Sequence, residues 1–236
     1  MLGLPDDIQA ALFDLDGVLT QTAKVHAAAW KQMFDGYLKE RAAKTGEAFV
    51  PFDAHHDYDE HVDGKPRPDG VRDFLEARGI DADEELVTEL GDRKNALVLD
   101  LIKRDGVEAY DGSLRYVQAA GEAGLKLGVV SSSANAKDVL KSVGILHRFA
   151  EVVDGHAVAE GGLKGKPAPD TFLEGARRLG VEPAHAAVFE DALAGVEAGR
   201  AGRFGAVVGV DRVGHADALA AHGATRVVQD LAELLP

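Results

Sequence analysis

Residues 8–20 read IQAALFDLDGVLT. An apolar run over 8–13 ends on two carboxylates, Asp14 and Asp16, one leucine apart and followed by Gly17. So short and so apolar a run, closed by polar residues and glycine, predicts a strand buried on both faces, as in a parallel sheet. In extended chain, residues two apart project to the same side, so Asp14 and Asp16 face one space at the strand's carboxyl end. That edge is where open α/β sheets bind ligands. Like charges this close repel, so the pair calls for a cation between them or for chemistry that uses the repulsion. A D-x-D-G taken alone is more often a solvated turn.

Similar apolar runs recur as LKLGVVS (125–131), AAVFE (186–190) and GAVVGV (205–210), with weaker ones at 149–153 and 226–229. Helical patterns lie between them at 113–123, 135–143, 169–179, 192–201 and 215–222, and glycines Gly124, Gly144, Gly180 and Gly202 close several. Strand alternating with helix implies right-handed crossovers and an α/β fold, a Rossmann-like parallel sheet with helices on both faces. Residues 21–108 break the rhythm with helical patterns and no convincing strand. They are predicted to form an inserted all-helical cap domain, leaving 1–20 and 109–236 as the core domain. The stretch 45–68 is the most irregular part.

With 236 residues, 46% of them hydrophobic, the chain can bury a sizeable core. Its formal charge of −14 argues against general affinity for nucleic acid or an anionic membrane, so a bound phosphate needs local positive groups. The absence of cysteine excludes disulfides, thiolate nucleophiles and cysteine-ligated zinc. The opening MLGLPDDIQ has no basic region followed by an apolar one, and no apolar run reaches membrane-spanning length, so a cytoplasmic protein is expected.

Three other strand ends carry chemistry that matches the first. Ser131, Ser132, Ser133 and Asn135 follow LGVV and open a helix whose N–H groups favour an anion. One serine would be an ordinary cap; three and an asparagine exceed what capping requires. Lys166, in KGKPAPDTF, precedes the next helix, where an isolated lysine would ordinarily be a surface residue. Glu190 and Asp191 follow AAVF and could be acidic N-caps. Together, four carboxylates, one lysine and several hydroxyls meet at strand ends, and a hard divalent cation with oxygen ligands, Mg²⁺, would relieve the repulsion between Asp14 and Asp16.

In their order along the chain, DLDGVLT, Ser131, Lys166 and EDALAGVEAG resemble the haloacid dehalogenase-like superfamily of phosphotransferases over nearly the whole length. The resemblance implies that Asp14 is the nucleophile taking up a phosphoryl group and Asp16 the general acid/base. It also implies that Asp14, the Asp16 carbonyl, Glu190 and Asp191 hold Mg²⁺, while Ser131 and Lys166 hold the transferring oxygens.

Within the insert, TQTAKVHAAAW (20–30) and DGKPRPDG (63–70) resemble the β-phosphoglucomutase branch. That likeness implies interconversion of β-glucose 1-phosphate and glucose 6-phosphate through an aspartyl-phosphate enzyme, with glucose 1,6-bisphosphate as intermediate and activator. His26 would then contact the acid/base aspartate, Arg67 the distant phosphate, and Ser133 and Asn135 further phosphate oxygens. Trp30 and Gly64 fall in the same substrate-facing set, although Trp30 shares the helix face of His26, where an aromatic ring packs. Asp63 stands where many members have a lysine before the glycine matching Gly64, and Ala134 where a lysine commonly precedes the position of Asn135. The histidine-rich stretch His55, His56, Asp57, Asp59, His61 reads as a solvated acidic loop before a second metal site. A phosphatase of small sugar phosphates and a non-catalytic phospho-aspartate switch are the alternatives; the expected partner is a small sugar phosphate and the expected state a monomer.

Overall fold

In this computed structural model, which describes residues 2–236, strand β1 (Ala10–Phe13) has all four residues completely buried. Only a central strand covered on both faces provides that environment. It pairs in parallel with β2 (Lys126–Val130) on one side and β4 (Ala186–Glu190) on the other. The six-stranded sheet has the order β3-β2-β1-β4-β5-β6, with β3 (Glu151–Val153), β5 (Ala206–Val210) and β6 (Arg226–Val228) completing it, and every pairing is parallel. From β1 the chain winds outward through β2 and β3, then returns to β1's other side. The direction therefore switches beside β1, between the carboxyl ends of β1 and β4, and Asp14 and Glu190 stand there.

The side chains of β1 divide between two layers. Leu12 packs with Val188, Val207 and helices α7 (Asp170–Leu179) and α8 (Leu193–Ala201). Phe13 points the other way, stacked on Phe189 at 4.6 Å and edge-on to Tyr116 of α4 (Asp111–Glu122). Helices thus cover both faces of a parallel sheet.

The described chain divides into two units, one bearing the sheet (up to Gln21, Gly64–Pro66 and Val107–Pro236) and one helical (Thr22–Asp63 and Arg67–Gly106). The helical unit consists of α1 (Ala23–Thr45), α2 (Arg67–Ala77), α3 (Glu84–Asp105) and a short π-helical turn, Tyr58–Val62. It has its own aromatic core, in which Phe34 lies 4.1 Å from Phe74, 5.3 Å from Trp30 and 5.3 Å from Phe52, ring centre to ring centre. Phe34→Ala is expected to cost about 3–5 kcal/mol, measured by denaturant unfolding, because the cavity would open among rings already packed on every side.

Every strand predicted from the sequence is present, the weaker two included. Gly202 closes α8 as expected, at φ −74°, and the positive φ falls on the next residue, Arg203, at 57°. A helix that the periodicity does not announce, α6 (Gly155–Gly161), follows β3 because the Asp154 carboxylate caps it by accepting from the Ala157 N–H at 2.9 Å. The remaining short helices, α5 (Ala136–Ser142) and α9 (Ala216–His222), cover the patterns expected there. Among the described residues no helix is long and apolar enough to cross a membrane.

Candidate active site

Lys166 is the centre of the arrangement at the strand ends. Its ammonium lies 2.6 Å from Asp14 Oδ1, 2.5 Å from Glu190 Oε1 and 3.2 Å from the Val130 carbonyl, and only 2% of the residue is exposed. The Phe172 ring sits 4.9 Å away, so the cation has an aromatic face beside it as well as three oxygens. A buried lysine is tolerated only when so compensated. Burial opposes its charge, yet the two carboxylates outweigh burial and raise its pKa.

Asp14 experiences the reverse balance. Burial pushes its carboxyl well above the usual range; Lys166 pulls it down, while Glu190 and Asp16 push it further up. Such a group demands a cation before it can be a stable anion at neutral pH. Glu190 uses both oxygens, one accepting from Lys166 and the other from the Ala192 N–H at 3.0 Å. Asp191 lies beside it, and Asp14, Glu190 and Asp191 each present an oxygen within 4.8 Å of the others.

Glycines make this crowding possible. A Cβ on Gly17, whose φ is +87°, would collide with the Asp191 carboxylate, and one on Gly195 would collide with that of Glu190. Three carboxylate oxygens at such spacing, in a cradle kept open by glycine, suit a hard oxygen-seeking divalent cation, and the donor set contains nothing that favours a softer metal. No other group of three such side chains forms among the described residues. His55 and His56 are exposed, and their backbone N–H groups donate to Asp53; Asp57 instead accepts from the Asp53 N–H and from Arg78 at 2.6 Å. The stretch is therefore not the solvated acidic loop read from the sequence: Asp57 is buried and paired with Arg78, His61 bonds Asp73, and Tyr58–Val62 form the π-helical turn.

Ser131 is buried at the end of β2, where its oxygen accepts from the Ser133 N–H at 3.1 Å, a bond that engages a lone pair rather than the hydroxyl proton. The Ser133 hydroxyl in turn accepts from the Asn135 N–H at 3.2 Å. Ser132, to which the sequence reading gave no separate role, donates to the Gly64 carbonyl at 2.7 Å. Asp16 lies in the turn after β1, bridged to Thr20 and half-buried.

In the helical unit, His26 and Trp30 lie on α1 and Arg67 begins α2, where its guanidinium is 3.5 Å from Asp92. Trp30 is 3% exposed, a core residue of this unit. The sequence reading missed Lys94 of α3: it is buried, 2.8 Å from His26 Nδ1 and 4.7 Å over the Trp30 ring. An ammonium can only donate, so against a charged Lys94 it is Nδ1 that accepts.

The family model of haloacid dehalogenase-like hydrolases matches residues 8–203. A Mycobacterium bovis protein described as β-phosphoglucomutase is 53% identical over the whole of this chain and 94% of its own length. A Bacillus subtilis protein of the same description is 34% identical over 86% of this chain and 84% of its own. The solved structure of β-phosphoglucomutase from Clostridium difficile, 29% identical, superposes with a TM-score of 0.77 over 96% of this chain and 93% of that one. The chain belongs to the haloacid dehalogenase-like hydrolase family, in its β-phosphoglucomutase branch.

Proposed function

We propose that the protein is a phosphomutase that interconverts β-glucose 1-phosphate and glucose 6-phosphate through a phosphorylated Asp14. The observation that carries this is a buried carboxylate, Asp14, held 2.6 Å from a buried ammonium at the switch point of the sheet. Asp14 Oδ1 is the shared oxygen, which leaves the second carboxylate oxygen as the nucleophile. Attack on the phosphorus of glucose 1,6-bisphosphate forms the acyl phosphate and releases a sugar monophosphate. Return of the phosphoryl group to the other hydroxyl of a bound sugar completes the interconversion, so one hard displacement becomes two easier ones.

Asp16 gives a proton to the leaving sugar oxygen and takes one from the attacking hydroxyl. Lys166 and the Ser131 hydroxyl neutralise charge on the equatorial phosphoryl oxygens. Asp14, the Asp16 carbonyl and Asp191 would hold Mg²⁺, with Glu190 adding charge while fixing Lys166; the ion, when bound, supplies positive charge that lowers repulsion between the carboxylate and the incoming phosphate. In the sheet unit Ser133, Asn135 and Gly64 are proposed as substrate contacts, and in the helical unit Arg67 and His26, where Trp30 supports the pair of His26 and Lys94. Lys94→Met should therefore lower kcat/KM by about 10²-fold through loss of an oriented imidazole. Steady-state kinetics with β-glucose 1-phosphate check this, and an unchanged kcat/KM would remove His26 from the site.

The deciding experiment supplies Mg²⁺, β-glucose 1-phosphate and a trace of glucose 1,6-bisphosphate, and follows glucose 6-phosphate against inorganic phosphate. The isomer is expected without stoichiometric phosphate release, and the α anomer should react poorly. Rapid phosphate release with little isomer would instead make the protein a phosphatase.

A further inference from the structure

The turn after Asp16 is held by an arginine distant in sequence. Gly17 N–H donates to the Thr20 carbonyl at 2.8 Å, Thr20 N–H to the Leu15 carbonyl at 2.9 Å, and Thr20 bridges to Ala109. These bonds close the loop on itself and leave the Gly17 and Val18 carbonyls to be met from outside it. Arg212 meets the first, its Nε donating to Gly17 O at 2.9 Å. Ser113 meets the second, donating to Val18 O at 2.6 Å, and Arg212 Nη2 lies 3.4 Å from that hydroxyl.

The other side of the guanidinium is anchored as firmly. Nη1 donates to the Gln229 carbonyl at 2.7 Å and to Asp230 at 3.1 Å, and the Tyr110 ring lies 3.7 Å from the guanidinium carbon. The backbone carrying Arg212 is itself pinned, because Asp211 Oδ1 accepts from the N–H groups of Val213, Gly214 and His215. A planar fork with five donors is the side chain that can tie both carbonyls of this turn, Gly17 O at 2.9 Å and Val18 O at 3.5 Å, to the C-terminal segment while stacking on an aromatic ring.

We propose that Arg212 is a positioning residue for phosphoryl transfer: by holding the Gly17 carbonyl it fixes the turn that aims Asp16 at the reacting oxygen. The inference rests on the acid/base role given to Asp16. Arg212 touches no reacting atom, so its removal should act on kcat and leave substrate binding nearly unchanged. Displacement of a catalytic group by about 1 Å can cost roughly 10²-fold.

The test compares Arg212→Met, Arg212→Lys and Thr225→Val in the full chain with Mg²⁺ and β-glucose 1-phosphate. Thr225→Val removes the hydroxyl that bonds Val207 N and O, which loosens the same sheet without reaching the turn. Arg212→Met should lower kcat about 10- to 100-fold with KM within a factor of about two. Arg212→Lys, which keeps a charge beside Asp230 but loses the fork, should fall between it and the wild type, and it carries the test should the methionine variant not fold. Thr225→Val should lower the melting temperature with kcat unchanged. The proposal is overturned when both Arg212 variants keep wild-type kcat, or when kcat follows melting temperature alike in all three. Should the wild-type protein release phosphate and form no isomer, the mutase reading fails; the same kcat comparison, made on phosphate release, still decides the role of Arg212.

Discussion

Asp14→Asn is expected to fold and to lose turnover by on the order of 10⁴-fold or more, the scale seen when a nucleophile that acts as part of a unit is removed. The amide is nearly isosteric but cannot form an acyl phosphate. Lys166 retains Glu190 as a partner, so the buried ammonium is not abandoned. The same variant tests the electrostatics. Because burial holds the Asp14 carboxyl above its ordinary range, the folded protein binds that proton more tightly than the unfolded chain. The stability this gives is present at low pH and lost as pH rises through the raised value. In metal-free buffer, the wild type should lose melting temperature as pH rises through that value, and Asp14→Asn should flatten the dependence. A slope unchanged by the substitution would mean that Asp14 is not the group responsible.

Lys166→Met should be the most damaging single change to fold and activity together. It leaves Asp14 and Glu190 facing one another, both buried, without the ammonium between them. Breaking a buried ion pair by removing one partner costs about 3–5 kcal/mol. Loss of a donor to the transferring phosphoryl group should lower kcat by about 10³-fold. Mg²⁺ should recover part of the stability, since a divalent cation restores positive charge among the same oxygens, and little of the activity. Thermal melts with and without Mg²⁺, beside single-turnover rates, separate the two effects. A variant that melts and turns over like the wild type would show that Lys166 neither balances the carboxylates nor assists transfer.

The strands were legible because each is a short apolar run ending in polar residues, and a parallel sheet buried on both faces admits little else. Asp14, Ser131, Glu190 and Asp191 could be grouped for the same reason: each stands at the end of such a run, and parallel strands bring all their carboxyl ends to one edge; Lys166 instead lies between α6 and α7. Helix α6 escaped notice because it is seven residues long, begins at Gly155 and ends at Gly161, and owes its start to the Asp154 cap rather than to an apolar period. Lys94 and Arg212 were illegible for a different reason. Each reads as an ordinary surface cation, in GDRKNAL and DRVGH, and acquires its meaning from partners that only the fold brings near: His26 and Trp30 for the first, Gly17 and Asp230 for the second. Glu190 was read as a metal ligand or a helix cap, and it does join the carboxylate cluster and accept the Ala192 N–H; its bond to Lys166 spans 24 residues and leaves no local trace.

The most direct measurement is a rapid acid quench of enzyme mixed with Mg²⁺ and glucose 1,6-bisphosphate labelled in its phosphates, followed by peptide mapping. If a phosphorylated enzyme carries the reaction, label appears on the peptide containing Asp14 within one turnover, disappears with hydroxylamine, and is absent from Asp14→Asn. Label on another peptide, or full isomerase activity with no labelled enzyme at any time, would contradict it.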